Sequence, residues 1–241
     1  MPKAPEVKRG RYGARWAGTA GDLAMALDLR RQCFRAAPGR ASDDSDRFDP
    51  ISRHLLISDA AGRMVACCRV LSLNGPQIGH SYAAQFYDLT MLAAFPGPLL
   101  ELGRFCLHPA VHDPDILRLA WAMLTRLVDA EGITLLFGCS SFAGTDPTPH
   151  LPALALLLRH LAPSQWAPVE KGAETVDLTR LAAKPDPRQM PPLLQTYLAM
   201  GAWVSDHAVI DRDLGTLHVF TGLEIAAIPP ARARALRALA R

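Results

Sequence analysis

The chain contains few lysines and no long hydrophobic run. Only four of its 26 basic residues are lysines, and charged residues make up 20% of its 241 residues. No apolar run reaches the ~20 residues that a membrane-spanning helix needs. The first 30 residues also lack the apolar centre of a signal peptide. We therefore expect a cytoplasmic protein, and its net charge of +3 argues against bulk nucleic-acid binding.

Paired metal ligands are also missing from the sequence. The five cysteines include no Cys-x-x-Cys spacing, and their number is odd. Structural zinc sites usually take ligands in closely spaced pairs, so we expect no bound metal. Four of the cysteines lie in predicted strands, where a free thiol behaves as a small apolar side chain. We expect reduced cysteines in the core.

The nucleophile elbow of many serine hydrolases is absent as well. Its Gly-x-Ser-x-Gly pattern places an exposed serine between a strand and a helix. Here the corresponding stretch after a predicted strand reads Gly138-Cys139-Ser140-Ser141-Phe142. This departure argues against a covalent serine or cysteine mechanism.

Three segments differ in composition along the chain. Residues 1–18 are basic, contain glycine and proline and show little periodicity, so we expect a flexible N-terminal arm. Residues 19–228 alternate helical and strand patterns, which predicts one α/β domain with a mixed central sheet. Residues 229–241 form an arginine-rich amphipathic helix.

Two helices have clear start signals. Thr19 and Asp22 form a capping box before a helix that runs to about Phe34. Asp113 and Pro114 start a second helix, which Gly132 ends. The second helix separates two predicted neighbouring strands as a β–α–β unit. The predicted strands cover residues 54–58, 64–73, 99–107, 133–139, 203–210 and 217–225.

The strand at 99–107 carries two charges in an apolar run, Glu101 and Arg104. A charge in a core strand is costly unless it is paired or used. Residues three apart in a regular strand face opposite sides, so the two would share a side only if the strand bulges, for which Gly103 is the candidate position. The strand ends in a polar loop at a helix start, where a phosphate and a reacting thioester could both be held.

Other charged residues suggest a binding site near an irregular acidic loop. Asp46 and Asp49 could bind cationic groups of a ligand. A helix cap, a turn or solvated charge are equally ordinary roles for them. Arg69, in a strand, needs an anionic partner if it is buried, and Asp46, Asp49 or the carboxylate of a bound substrate could supply it. The position of Arg30 on the face of Phe34 suggests burial beside the same loop.

These residues occur in the order of a known family pattern. Arg30-x-x-x-Phe34, Asp46-x-x-Asp49, Arg69, Phe86 and Glu101-x-x-Arg104-Phe105 resemble the acyl-homoserine lactone synthases of the GCN5-related N-acyltransferase (GNAT) superfamily. Longer segments of the sequence are more similar to the ornithine–acyl-carrier-protein N-acyltransferases of ornithine-lipid synthesis. These segments are Asp46–Pro50, His54–Ile57, Glu101–Pro109, Tyr197–Gly201 and Trp203–Asp211. The resemblance implies an α/β fold of the GNAT type, with a mixed central sheet flanked by helices and a C-terminal extension of a hairpin and a helix.

The resemblance also implies a reaction. A 3-hydroxyacyl chain on the 4'-phosphopantetheine arm of acyl carrier protein would be transferred to the α-amine of L-ornithine. The product would be a lyso-ornithine lipid, the first step of ornithine-lipid synthesis, with no permanently bound cofactor. The loop His108–Asp115 contains no glycine, unlike the pyrophosphate loop usual in coenzyme A enzymes of this superfamily. Peripheral contact with the inner membrane is a further expectation.

Direct aminolysis of a thioester assigns a role to each candidate residue. Glu101 would act as general base, directly or through one water, with Arg104 as the second catalytic residue. Backbone N–H groups of Phe105, Cys106 and Leu107 would bind the oxyanion and the pantetheine amides. His108 and His112 would bind the phosphate. The predicted substrate-binding residues are Asp46, Asp49, Arg69, Arg30, Phe34 and Phe86.

Three alternatives remain open at this point. An acyl-homoserine lactone synthase would act on S-adenosylmethionine, but residues 35–45 lack the aromatic side chains usual there, and the C-terminal extension is long. An N-acyltransferase could act on lysine or glutamine instead of ornithine. A catalytically silent module that binds carrier protein or membrane is the third alternative.

Overall fold

The computed structural model describes residues 6–36, 43–171 and 174–240. The α-helices are α1 (Ala20–Phe34), α2 (Pro114–Glu131), α3 (Leu151–Leu157), α4 (Pro192–Leu198) and α5 (Pro230–Leu239). The strands are β1 (Val7–Arg9), β2 (Tyr12–Trp16), β3 (Arg53–Asp59), β4 (Met64–Asn74), β5 (Tyr87–Asp88), β6 (Pro98–Leu107), β7 (Leu135–Ala143), β8 (Val169–Glu170), β9 (Thr175–Asp177), β10 (Trp203–Asp211) and β11 (Thr216–Glu224).

The chain divides into two compact units. The first contains the described residues up to Ser72, together with Leu102–Gly132 and the segment from Pro230 onwards. The second contains Leu73–Glu101 and Ile133–Pro229. The first part of β6 therefore belongs to the second unit, and its last six residues belong to the first.

The first unit is an antiparallel sheet with helices packed on it. Its strand order is β1-β2-β3-β4, with the last part of β6 beside β4. Helix α1 packs against β3, and α2 packs against β1, β2 and β3. Ala26 and Leu29 of α1 pack with Leu56, Cys67 and Cys106 of three strands. Burial of one helix face therefore holds the end of α1 beside β6.

The second unit contains the parallel pair expected from the β–α–β pattern. Leu99 to Glu101 of β6 pair in parallel with Leu135 to Phe137 of β7, and β11 then pairs antiparallel with β7. The order continues through β10 to β9, and β5 forms a separate pair with β8. One sheet face is covered by the segment from Ile78 to Phe95, and the other packs against α3 and α4. Parallel and antiparallel pairs thus occur together, and the predicted mixed α/β fold is confirmed.

The prediction of a flexible N-terminal arm is wrong for residues 7–16. Strands β1 and β2 form a hairpin, and β2 pairs with β3 along its whole length. Tyr12 and Ala14 are buried by this pairing. Such short strands have too little periodicity to be recognised, because their burial depends on a partner about 45 residues away along the chain. Residues 1–5 of the predicted arm lie outside the described residues.

Most other elements lie close to their predicted bounds. Thr19 and Asp22 form the expected capping box, and Asp113 caps α2. The C-terminal helix is part of the first unit, since Arg237 of α5 pairs with Asp129 of α2 at 2.8 Å. The irregularity expected in β6 falls at Arg104, whose φ of 52° is in the left-handed region. Residues with side chains seldom adopt that conformation.

Candidate functional site

The predicted site residues form two main groups, one in each unit. In the first unit, three aspartates of the loop before β3 meet four arginines from α1, its C-terminal end, β4 and β6. We call these residues the arginine–aspartate cluster, and they are Arg30, Arg35, Asp44, Asp46, Asp49, Arg69 and Arg104. In the second unit, Glu101 and Phe86 belong to the other group.

Arg30 lies at the centre of the cluster and is 1% exposed. Its Nε donates to an Asp44 carboxylate oxygen at 2.7 Å, and its Nη1 donates to Asp49 Oδ1 at 2.6 Å. Its Nη2 also donates to the backbone carbonyl of Asp44 at 2.6 Å. A planar guanidinium can bridge two carboxylates in this way, whereas an ammonium group is a single point charge. Buried charges therefore tie α1 to the loop.

Arg69 and Arg104 connect the same loop to β4 and β6. Arg69 Nη1 donates to carboxylate oxygens of both Asp46 and Asp49, the latter at 2.8 Å. Arg104 Nε donates to Asp44 at 3.1 Å, and its Nη2 donates to Asp46 Oδ2 at 3.4 Å. The expected pairing of Arg69 with this loop is confirmed. Arg104, which joins the cluster from β6, is itself the residue with the left-handed backbone conformation.

Aromatic rings lie beside two of these arginines. The Arg104 guanidinium carbon is 5.9 Å from the centre of the Phe34 ring, and that of Arg69 is 5.4 Å from the Phe48 ring. Rings at this distance attract a guanidinium electrostatically. Phe34 thus supports the cluster at the end of α1.

For Asp49 and Arg30, hydrogen bonds and neighbouring charges shift the pKa more than burial does. Burial alone would raise the pKa of Asp49, but hydrogen bonds from Arg30 and from the Asp46 amide, with the charges of Arg30 and Arg69, lower it below its usual value. Burial opposes the charge on Arg30 as well, yet its bonds to Asp49 and Asp44 raise its pKa. Burial lowers the pKa of neighbouring His54, whose Nε2 lies 3.1 Å from the Asp49 carbonyl.

The two aspartates that the sequence suggests as ligand contacts differ in the exposed fraction of their side chains. The side chain of Asp46 is 22% exposed, whereas that of Asp49 is 4% exposed. A ligand could contact Asp46 without displacing an arginine. The geometry therefore favours Asp46 as a binding residue and Asp49 as a structural partner of Arg30.

Sequence reasoning missed Asp44 and Arg35. Asp44 is buried and accepts hydrogen bonds from Arg30, Arg35 and Arg104. It lies in the run Asp43–Asp46, which is typical of solvated surface charge. The sequence did contain a signal for a further buried carboxylate. Several arginines lie in apolar elements, and each buried guanidinium needs an anionic partner.

Glu101 lies in the second unit and is 5% exposed. Its Oε2 accepts the backbone N–H of Tyr82 at 2.8 Å, and its Oε1 accepts that of Ala83 at 2.7 Å. These donors belong to an irregular segment 18 and 19 residues earlier in the chain. The two amides fix the orientation of the carboxylate.

The segment that Glu101 holds carries an aromatic group. Phe86 is half-buried, and its ring lies edge-on to His218 at 4.8 Å and 5.4 Å from the ring of Tyr82. The hydroxyl of Tyr87 donates to the His218 carbonyl at 2.9 Å and lies 3.0 Å from Nδ1 of the same histidine. Phe86 therefore packs on a buried tyrosine–histidine pair that sequence reasoning did not find.

We expect His218 to make stability depend on pH. It is 2% exposed, and burial together with the nearby His207 lowers its pKa from 6.5 to about 4. Between these values the unfolded chain binds a proton that the folded chain does not. The free energy of unfolding should thus fall as the pH drops through this window, by roughly 3 kcal/mol at most.

Urea unfolding near pH 7 and near pH 5 measures this dependence. In His218→Phe the Tyr87 hydroxyl keeps the backbone carbonyl as its acceptor, so the variant is a suitable control. We expect a smaller pH dependence in the variant than in the wild type. If stability depended equally on pH in the wild type and in His218→Phe, titratable groups other than His218 would be responsible.

The last part of β6 carries the backbone amides predicted to bind the thioester. Cys106 is buried, and Phe105 and Leu107 are half-buried. The carbonyl of Leu107 accepts a hydrogen bond from the thiol of Cys33 at 3.2 Å. This part of the strand follows Arg104, whose backbone lies in the left-handed region.

The two predicted phosphate ligands differ in their surroundings. His108 is half-buried, and its Nδ1 accepts the amide of Ala110 at 3.2 Å, whereas His112 is exposed at the start of α2. Arg9, which sequence reasoning did not select, donates to Asp115 in the first turn of α2 at 3.0 Å. An anion at this helix start would therefore meet histidines, an arginine and a carboxylate.

Neither a metal centre nor a membrane span was found within the described residues. No three histidine, cysteine, aspartate or glutamate residues there are grouped so as to hold a metal ion. No described helix is long and apolar enough to cross a bilayer.

Comparison with known proteins places this chain in a class. Residues 29–122, which include both groups of site residues, match the acetyltransferase (GNAT) domain family. The structure of FeeM, an N-acyl amino acid synthase from uncultured soil microbes, superimposes with a TM-score of 0.52. That match covers 90% of this chain and 93% of the other at 11% identity, and it shows a shared fold. The protein is an N-acyltransferase of the GNAT fold.

Relatives with higher identity define the family. The L-ornithine N(alpha)-acyltransferase of Rhodobacter capsulatus is 36% identical over 86% of this chain and 88% of its own. The L-ornithine N(alpha)-acyltransferase of Brucella abortus is 31% identical over 90% of this chain and 86% of its own. The chain belongs to the L-ornithine N(alpha)-acyltransferase family.

Proposed function

We propose that this protein transfers a fatty acyl group, often 3-hydroxylated, from acyl carrier protein to the α-amine of L-ornithine. The product is a lyso-ornithine lipid. The observation that carries the proposal is 36% identity to an L-ornithine N(alpha)-acyltransferase along 88% of that relative's length. The arginine–aspartate cluster adds support, because it offers charges of both signs to an amino acid with two ammonium groups and a carboxylate.

Asp46 binds the ammonium group that does not react. Its Oδ2 receives a long hydrogen bond, 3.4 Å, from Arg104, and its side chain is 22% exposed, more than those of the other two aspartates of the cluster. Its Oδ1 accepts the Phe48 amide at 2.9 Å, which holds the side chain in place. A fixed carboxylate binds an ammonium group more strongly than a mobile one, because less side-chain freedom is lost.

Replacing Asp46 with asparagine should raise KM for the amino acid roughly 10- to 100-fold, with a smaller effect on kcat. The loss corresponds to one charge-assisted hydrogen bond of about 1.5–3 kcal/mol. Initial rates at varied ornithine concentration measure it. Asp43→Asn is the matched control, since that exposed carboxylate bonds to Ser45 within the same loop. An unchanged KM in Asp46→Asn would remove Asp46 from acceptor binding.

Glu101 is the general base of the proposed aminolysis. It takes a proton from the α-ammonium group, directly or through one water. The amine nitrogen then bonds to the thioester carbonyl carbon, and backbone N–H groups of the Phe105–Leu107 stretch stabilise the oxyanion. The carbon–sulfur bond breaks as the oxyanion collapses, the attacking nitrogen loses its second proton to give the neutral amide, and the pantetheine sulfur leaves as a thiolate that takes up this proton. The fixed orientation of the Glu101 carboxylate supports this role.

The donor arm is held by the residues that follow β6. The loop His108–Asp115 has no glycine, which suits the single phosphodiester of 4'-phosphopantetheine better than a pyrophosphate. His108 and His112 bind this phosphate. The nearby carboxylate of Asp115 is bonded to Arg9 and Arg118, which offset its charge.

Helix α5 makes peripheral contact with an anionic membrane in this proposal. Arg232 and Arg234 are exposed on it. Clustered arginines on an amphipathic helix are attracted to anionic lipid headgroups. A sedimentation assay with anionic and neutral vesicles tests this contact.

The function itself is tested with purified protein and four acceptors. Acyl carrier protein and coenzyme A thioesters of the same chain are offered with ornithine, lysine, glutamine or S-adenosylmethionine. Mass spectrometry identifies the product, and thiol release gives the rate. Nα-acyl-ornithine formed from the carrier-protein thioester supports the proposal. A lactone, another acyl amino acid, a preference for coenzyme A or no product would each overturn it.

A further inference from the structure

Three thiols from three different elements meet in the first unit. Cys33 lies near the end of α1, Cys67 in β4 and Cys106 in β6. The sulfur atoms of Cys67 and Cys106 are 3.6 Å apart, and Cys33 packs against the same apolar cluster, where its thiol donates to the Leu107 carbonyl at 3.2 Å. Neither the proposed acyl transfer nor the arginine–aspartate cluster uses these thiols.

The three cysteines differ in access to solvent. Cys67 is 2% exposed and Cys106 is 6% exposed, whereas Cys33 is half-buried. The hydrogen bond from Cys106 lowers the pKa of Cys33, although burial opposes this, and the same contact raises the pKa of Cys106. The thiolate is the nucleophilic form of cysteine. The most accessible of the three sulfur atoms, that of Cys33, is therefore also one whose pKa is lowered.

We propose that this cluster is an oxidation site for hydrogen peroxide, in which Cys33 reacts first and a Cys67–Cys106 disulfide is the final product. Cys33 attacks the peroxide oxygen and becomes a sulfenic acid, with release of hydroxide. Cys106 then attacks the Cys33 sulfur, which forms a disulfide and releases water. Cys67 exchanges with that disulfide and frees Cys33 as a thiol. Overall, two thiols and one peroxide give one disulfide and two water molecules.

Geometry favours the final bond between β4 and β6. The Cys67 and Cys106 sulfur atoms must approach from 3.6 Å to the bonded distance of about 2.05 Å. The amide of His108 donates to the carbonyl of Val65 at 2.8 Å, which holds the same two strands together two residues away. Only a small strand movement is thus needed to form the bond.

Formation of the disulfide should also displace backbone atoms that the proposed acyl transfer uses. Cys106 lies two positions after Arg104 and between the two half-buried residues of the Phe105–Leu107 stretch. Shortening the sulfur–sulfur distance moves this backbone. A reversible loss of acyltransferase activity would follow, and this consequence alone depends on the proposed function.

Peptide mapping gives a readout that needs no activity assay. The reduced protein is treated with one equivalent of hydrogen peroxide, alkylated and digested with trypsin. Cys33 lies in the peptide Gln32–Arg35, Cys67 in Met64–Arg69 and Cys106 in Phe105–Arg118. Since Met64–Arg69 also contains Cys68, the mapping is repeated in Cys68→Ser. We expect Met64–Arg69 joined to Phe105–Arg118 in both proteins.

Single variants test the order of the steps. Cys33→Ser should slow formation of the final disulfide by about tenfold or more, because both remaining thiols are buried. Cys67→Ser should trap Gln32–Arg35 joined to Phe105–Arg118. Cys139→Ser is the matched control, since Cys139 is a half-buried thiol of the second unit, and it should behave as the wild type.

Two outcomes would overturn the proposal. One is oxidation of Cys33 to sulfinic acid with no disulfide to Phe105–Arg118. The other is an unchanged rate in Cys33→Ser. Thermal melting of each variant before treatment shows whether it is folded. The wild-type peptide map remains decisive if a variant is not.

Discussion

Replacing Arg30 with methionine is expected to lower the free energy of unfolding by about 3–5 kcal/mol. The substitution keeps the length of the side chain but removes the charge that Asp44 and Asp49 share. Both carboxylates are almost fully buried, at 1% and 4% exposed, so they would be left without the central cation. Urea unfolding at neutral pH measures the loss, and the slope with urea shows whether the folded state has changed.

Two variants make this test specific. Arg30→Lys retains a positive charge but cannot donate in parallel to Asp44 and Asp49, so its stability should lie between the wild type and the methionine variant. Arg212→Met removes an exposed arginine that bonds to Glu174, and it should leave the urea midpoint unchanged. A methionine variant as stable as Arg212→Met would mean that water reaches the cluster.

Acid should weaken the same cluster. The pKa of Asp49 is lower in the folded protein than in the unfolded chain, because the favourable contacts with Arg30 outweigh burial. The stabilisation is therefore fully present above the unfolded pKa of about 3.9 and is lost as the pH falls through the folded value. This dependence should be weaker in Arg30→Met, where only Arg69 and the Asp46 amide still lower the pKa of Asp49.

Local signals predicted the helices well. The capping box at Thr19 and the Asp113-Pro114 pair act within one turn, so a single sequence contains all the information they need. Strands β1 and β2 were missed because pairing with β3 makes them stable, and no local pattern reports that partner. The unusual backbone at Arg104 was placed one residue away, at the glycine that could adopt it most easily.

The candidate site was predictable where a charge interrupts an apolar element. Arg30, Arg69, Glu101 and Arg104 were identified in this way, and all four have hydrogen-bond partners in the structure. The partners themselves were harder to predict. Asp44 lies in a run of polar residues, and the amides that bind Glu101 belong to a segment without periodicity, so only the folded chain identifies them.

Glu101→Gln is expected to lower kcat by about 10²–10⁴-fold near neutral pH. Glutamine has nearly the same volume but cannot take a proton from the attacking ammonium group. Its carbonyl oxygen can still accept one of the two amides, from Tyr82 or Ala83, whereas its NH₂ group cannot accept the other. The variant should therefore be somewhat less stable as well, and melting must be measured together with the rate.

The dependence of the rate on pH separates a base from a structural anchor. If Glu101 removes the proton, the defect of Glu101→Gln should shrink as the pH rises, because more of the amine is neutral without help. If Glu101 only holds the segment of Phe86, the defect should be the same at every pH and should follow the melting temperature. Glu170→Gln is the control, since that exposed carboxylate bonds to Thr175. A constant defect would leave Glu101 as a positioning residue that holds the segment of Phe86.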